Sequence, residues 1–152
     1  MYTAFYVRKL VRGFGQGERI PDQFTCKGID TQPTVEISDI PEGTKSIVLI
    51  MDDPDAPMGT FTHWIAYNIP PDVGRIDHAS KHSDISFGIN DFGNEGYNGP
   101  CPPRGKPHRY YFRAYATSLE KLPKGMHRKP MDDKLKASVI GHCEYMGTYS
   151  SS

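Results

Sequence analysis

The stretch "TKSIVLIMDDPDAP" at residues 44–57 limits the fold of this chain more than any other. Ile47, Val48, Leu49 and Ile50 form an apolar run without alternation, and an Asp/Pro cluster ends it. A short run of that kind predicts a strand covered on both faces. Two covering layers must therefore come from the rest of the chain. Fifteen glycines and thirteen prolines, scattered along 152 residues, suit many turns between short strands better than long helices.

Two further strands stand out. In "FTHWIAYNIPP" a period of two puts His63, Ile65, Tyr67 and Ile69 on one face, with Trp64, Ala66 and Asn68 on the other. In "HRYYFRAYAT" the same period puts His108, Tyr110, Phe112 and Ala114 on one face, and Arg109, Tyr111, Arg113 and Tyr115 on the other. The segment "KPMDDKLKASVIGH" reads as a helix, with Met131, Leu135 and Val139 at i, i+4 spacing, acidic residues in its first turn and Gly141 near its end. "CEYMGTYSSS" closes the chain as a short strand or an ordered tail. The expected fold is mainly β, with two antiparallel sheets packed as a sandwich, one or two peripheral helices, and residues 1–152 in a single domain.

Charge and composition exclude several functions. Eighteen Lys+Arg balance eighteen Asp+Glu, so no general electrostatic footprint exists for nucleic acid or an anionic membrane. No apolar run has signal-peptide or membrane-span length, so we expect a cytoplasmic protein without stable membrane insertion. Cys26, Cys101 and Cys143 are widely spaced and odd in number, and free thiols are expected. Aromatic residues alternating along the third strand read as packing between sheets rather than a platform for bases.

Chemistry-bearing side chains gather at strand ends: Asp52, Asp53 and Asp55 after the first strand, His63 in the second, and His108 with Arg109 opening the third. If these strands are neighbours, a carboxylate and two imidazoles converge on one pocket, walled by Ile65, Tyr67 and Tyr110 and rimmed by backbone N–H groups of the Gly-rich loop. Such a pocket suits a small anion or a phosphomonoester. Taken singly, a strand histidine is more often a satisfied core residue, and an Asp/Pro cluster a plain turn. By alternation Arg109 points away from His108, and we expect it to form a structural ion pair with Asp55. Arg104 and Lys106, on the Pro-rich loop, either attract an anionic head group or keep the loop soluble. His78, His82, His127 and His142 match no ligand spacing and read as background.

"DPDAP" at 53–57, "GTFTHWIAYNIP" at 59–70 and "NDFGNEGYNGPCPPRGKPHRYYFRAYA" at 90–116 resemble the phosphatidylethanolamine-binding protein family, also called the Raf kinase inhibitor protein family, and within it the bacterial and archaeal branch. "IPDQFTCKG", "PEGTKSIVLIMDDPDAP" and the closing "MGTY" match in the same order, so the resemblance covers nearly the whole chain. Two departures are local: "TQPTVEIS" replaces a Ser-Pro-Pro-Leu-like lead into a strand, and Lys106 and Pro107 lengthen the loop before His108. The resemblance implies two antiparallel sheets and a small cavity for phosphate, phosphorylethanolamine or a carboxylate. Asp53, His63 and His108 carry over as its polar residues, with Pro57, Tyr97, Gly99, Pro102 and Tyr110 lining it. It also implies cis peptides near the "DPDAP" turn, for which Ala56-Pro57 is a reasonable place. A regulated or inhibited protein partner, a kinase or protease, and homodimer formation are implied in the same way.

Three functions compete. A binding module for a small anion, with no cofactor and no catalysis, fits the residues and the resemblance. A metal enzyme with an Asp53/His63/His108 triad has the right ligand types without a recognisable ligand spacing. A hydrolase lacks a Gly-x-Ser-x-Gly elbow and would depend on Cys101 as nucleophile.

Overall fold

The run at Ser46–Asp53 forms β2, and all eight of its residues are buried. It is the central strand of a five-stranded antiparallel sheet, a computed structural model describing residues 11–77 and 84–151. With β1 at Val35–Glu36, β3 at Phe61–Ile69, β4 at Arg75–Ile76, β5 at Ser86–Phe87, β6 at His108–Thr117 and β7 at Val139–Tyr149, the order in the large sheet is β5-β3-β2-β6-β7. A second sheet pairs β1 with β4, also antiparallel. Helix α1, Arg128–Lys136, precedes β7.

The unbroken apolar run of β2 supplies a separate core on each face. Ile47, Leu49 and Met51 pack with Trp64, Phe112 and Val35 in one, while Val48 and Ile50 pack with Ile65, Tyr67, Met131 and Leu135 of the helix side in the other. Burial of this kind contributes on the order of 2 kcal/mol per large side chain. On β6 the alternation holds, since Tyr110, Phe112, Ala114 and Ala116 all enter the first core.

On β3 the alternation fails at two points. Trp64 pairs with Met51 and Thr62 with Asp52, which leaves His63 as an extra residue, a β-bulge. A second irregularity lies between Ala66 and Ile69, where Asn68 adopts φ 56°. Ile65 and Tyr67 stay on the helix side, whereas Ile69 joins Trp64 and Ala66 in the first core. The expected grouping of His63 with Ile65, Tyr67 and Ile69 is therefore wrong, and so is the expectation that Ile65 and Tyr67 wall the pocket.

The helix is shorter than its periodicity suggested. Its first residue is Arg128, so Asp132 and Asp133 lie beyond the first turn, and Pro130 sits within that turn, where a missing N–H costs nothing. Val139 and Gly141 belong instead to β7, paired with Thr117 and Ala116 of β6. The ladder between β6 and β7 outweighs a helical continuation of two residues. Among the described residues no helix is long and apolar enough to cross a membrane. His78 and His82 lie outside the described residues.

Candidate functional site

The strand ends of β2 and β6 bring Asp53 and His108 together. His108 Nδ1 lies 2.6 Å from Asp53 Oδ2, and the Asp53 side chain is only 4% exposed. The other carboxylate oxygen, Oδ1, accepts the backbone N–H of Asp55 at 2.8 Å, a turn that stiffens the chain as it leaves β2. Nδ1 of His108 is thus committed to a carboxylate, which fixes the ring and leaves Nε2 as its free nitrogen.

The bulge turns His63 toward the same place. Its ring packs edge-on against Tyr110 at 5.4 Å, and against Phe61 and Phe92 at 5.1 and 5.4 Å. His63 Nδ1 meets Asn98 O at 2.7 Å. Burial lowers the pKa of the ring, and the carbonyls and carboxylates around it offset this only in part. Tyr110 is fully buried; burial, then the Asp53 carboxylate beside its hydroxyl, raises its pKa.

These groups surround a cavity of about 200 Å³ lined by Asp53, Ala56, Pro57, Phe61, His63, Phe92, Cys101, Pro102, Pro103, His108 and Tyr110. Of the sequence candidates, Asp53, Pro57, His63, Pro102, His108 and Tyr110 line it. Tyr97 and Gly99 do not: the Tyr97 hydroxyl donates to Phe24 O at 2.6 Å, and Gly99 N donates to Asp30 Oδ1 at 2.9 Å. A Cβ on Gly99 would come within 1.9 Å of Phe24 O, so that glycine serves close packing of two loops.

The expected rim of free N–H groups is also absent over much of the loop. Asn90 Oδ1 accepts from the backbone of Phe92 and Asn94, and its Nδ2 donates to Gly96 O and Asn98 Oδ1. Asn98 N is spent on His63 O. The loop satisfies itself, as a buried backbone must. Phe61, Phe92, Asn90 and Asn98 were not among the candidates; Asn90 lies in a Gly- and Asn-rich region without periodicity, and nothing local marks it as a hub.

Cys26 and Cys101 form a disulfide across 75 residues, with Cα atoms 5.4 Å apart, so the expectation of three free thiols fails for this pair. Sequence spacing carries no information about a pairing that the fold alone creates. Cys101 is consequently no thiol nucleophile. The Ala56-Pro57 bond is trans, as are all peptide bonds among the described residues.

One residue beyond His108, Arg109 grips Asp55 through Nε and Nη2 at 2.9 and 2.8 Å and through its backbone N–H at 2.9 Å. That fork holds the Asp55 pKa down at about 2. On the opposite face of the sheet Asp52, 2% exposed at its side chain, receives Arg113 Nε and Arg128 Nη1, each at 3.1 Å. Arg113 also pairs with Glu144, and Arg128 with Asp132 at 2.8 Å.

Residues 12–150 match the family model described as "Phosphatidylethanolamine-binding protein". The chain belongs to the phosphatidylethanolamine-binding protein family. It is 48% identical over 145 residues to a UPF0098 protein of Aquifex aeolicus, covering 91% of this chain and 85% of that one. A UPF0098 protein of Pyrococcus horikoshii is 46% identical, covering 90% and 73% of the two chains. Among solved structures, a putative phosphatidylethanolamine-binding protein homolog of Chlamydia trachomatis superposes with a TM-score of 0.89 at 34% identity, covering 98% of this chain and 99% of that chain. Escherichia coli YbcL, described as a new member of the mammalian family, gives a TM-score of 0.89 at 31% identity, covering 99% and 100%. The two antiparallel sheets and the α-helix are those of this family's fold.

Proposed function

We propose that the cavity binds a small anion, a phosphate, phosphorylethanolamine or a carboxylate, and that the protein acts as a binding module that regulates or inhibits a partner kinase or protease. The observation that carries the first half is the 2.6 Å pair of His108 and Asp53 beside His63 in one half-open cavity. An imidazole anchored through Nδ1 presents Nε2 to a ligand, and its carboxylate partner balances the charge that a protonated ring brings. Aromatic and proline walls lower the local dielectric and strengthen each polar contact. Family membership supports the regulatory half.

Catalysis has less support. Asp53 Oδ2 is already held by His108, and His63 Nδ1 by Asn98 O, so no observation favours a shared metal. Among the described residues no three His, Cys, Asp or Glu side chains stand close enough to hold an ion.

Phosphate titration followed by histidine ring NMR tests the pocket. Shifts confined to His63 and His108, abolished in His108→Ala, support it; rings that do not respond to phosphate sink it. The regulatory half is tested by capture from lysate with the unmodified protein and with His108→Ala, followed by an inhibition assay on any kinase or protease retained.

A further inference from the structure

We infer that the cavity selects oxyanions that still carry a proton, inorganic phosphate or the monoanion of a phosphomonoester, over fully deprotonated ones such as sulfate, and that His63 makes the selection. This rests on the anion-pocket reading above and adds to it the protonation state of the ligand.

The Asn98 contact decides the tautomer. A carbonyl oxygen only accepts, so His63 Nδ1, 2.7 Å from Asn98 O, carries the hydrogen. In a neutral ring Nε2 then bears a lone pair. Neutrality follows from the surroundings: the residue is 3% exposed and is packed among the rings of Phe61, Phe92 and Tyr110. The charged groups that act on it are the Asp53 and Asp30 carboxylates; with the Asn98 and Gly99 carbonyls they favour the imidazolium, and burial outweighs them.

Nε2 is therefore the nitrogen left to meet a ligand, and it meets it as an acceptor. An oxyanion without a proton would set lone pair against lone pair there, a buried mismatch that costs affinity. An oxyanion with a proton donates it to Nε2. Asp53 adds the same demand. Both of its oxygens are engaged, by Asp55 N and His108 Nδ1, and its negative charge beside the ligand favours the monoanion, dihydrogen phosphate, over a dianion such as sulfate. His108 supplies the opposite polarity when its ring is protonated, donating from Nε2 to a ligand oxygen.

Phosphate and sulfate share size and tetrahedral shape, so comparing them isolates the proton. Calorimetric titration of the unmodified protein at near-neutral pH and fixed ionic strength should show phosphate binding at least about tenfold tighter than sulfate. In His63→Phe phosphate should weaken, and its advantage should shrink to within about twofold. O-phosphorylethanolamine is the third ligand, compared with sulfate at about pH 5, where its phosphate keeps one proton: tighter binding than sulfate supports the inference, and binding no tighter than sulfate overturns it. Equal affinities for phosphate and sulfate in the unmodified protein would overturn the inference and leave the anion pocket standing. Binding of none of the three would overturn both.

Discussion

Asp52 and Asp53 are neighbours on one strand, both almost fully buried, and they serve opposite faces of the sheet. Asp52 faces the helix and is held by two guanidiniums, Arg113 and Arg128, each of which reaches a second carboxylate. Asp53 faces the cavity and is held by one imidazole and one backbone N–H. Guanidinium groups stay charged at any pH a protein meets, and imidazoles do not. The first face is built from charges that cannot switch, and the second from groups that can change protonation when a ligand arrives. The faces also differ in what holds them: strands and a helix surround Asp52, whereas strand ends form only part of the cavity and loops form the rest, tied by Asn90, by the Asp30–Gly99 bond and by the disulfide.

The largest effect should come from that disulfide. Replacing both cysteines, Cys26→Ser with Cys101→Ser, frees a loop of 75 residues' separation in the unfolded chain. The expected loss is about 4 kcal/mol. Urea unfolding measures it, and phosphate affinity should fall as well because Cys101 lines the cavity. A loss of less than about 1 kcal/mol would mean that hydrogen bonds alone hold the cavity loops, and the contrast in how the two faces are held would weaken.

Asp52→Asn comes next. Removing the carboxylate leaves Arg113 and Arg128, about four-fifths buried, with only Glu144 and Asp132 to balance them. About 3 kcal/mol of stability should be lost, with phosphate affinity changed by less than about twofold in the folded protein.

Asp53→Asn should show the reverse profile: about 1 kcal/mol of stability lost, and phosphate affinity down by about tenfold or more. The two variants together form a double dissociation. If both lose stability equally and neither loses affinity, the distinction between the faces is wrong.

Much of this arrangement was legible before the fold was known, and the failures share a cause. The apolar run of β2 announced a strand with two covered faces, and alternation along β6 separated His108 from Arg109 correctly. Family motifs brought Asp53, His63 and His108 to one cavity. Period-two reasoning put His63 beside Ile65 because a bulge cannot be seen in a residue pattern; it appears only when Trp64 and Thr62 find partners on β2. The helix was extended into β7 because Val139 continued its spacing, while the competing ladder to β6 is a long-range pairing. The disulfide, the Asn90 hub and the roles of Tyr97 and Gly99 are likewise contacts between segments far apart in the chain. Local pattern sets elements and their faces, and contacts across loops set how the cavity closes.

The smallest predicted effect separates the faces by pH. His63 is buried with its pKa lowered from the ordinary 6.5, so below that value the unfolded chain binds a proton that the folded ring refuses. Stability therefore falls as pH drops through the unfolded value, and the loss stops once the lower folded value is passed. Within that window the slope is at most about 1.4 kcal/mol per pH unit for one proton. Asp55 acts in a separate range: its carboxyl is depressed from 3.8 to about 2, so its contribution is present above 3.8 and is lost between there and about 2. Arg113 and Arg128 have raised pKa values and remain charged throughout. Urea midpoints measured between about pH 7 and about pH 5 should thus fall in the unmodified protein, fall less in His63→Phe, and keep their slope in Arg109→Lys. A slope that survives His63→Phe unchanged would show that the cavity histidine is not held neutral, and would remove the basis for treating its Nε2 as an acceptor.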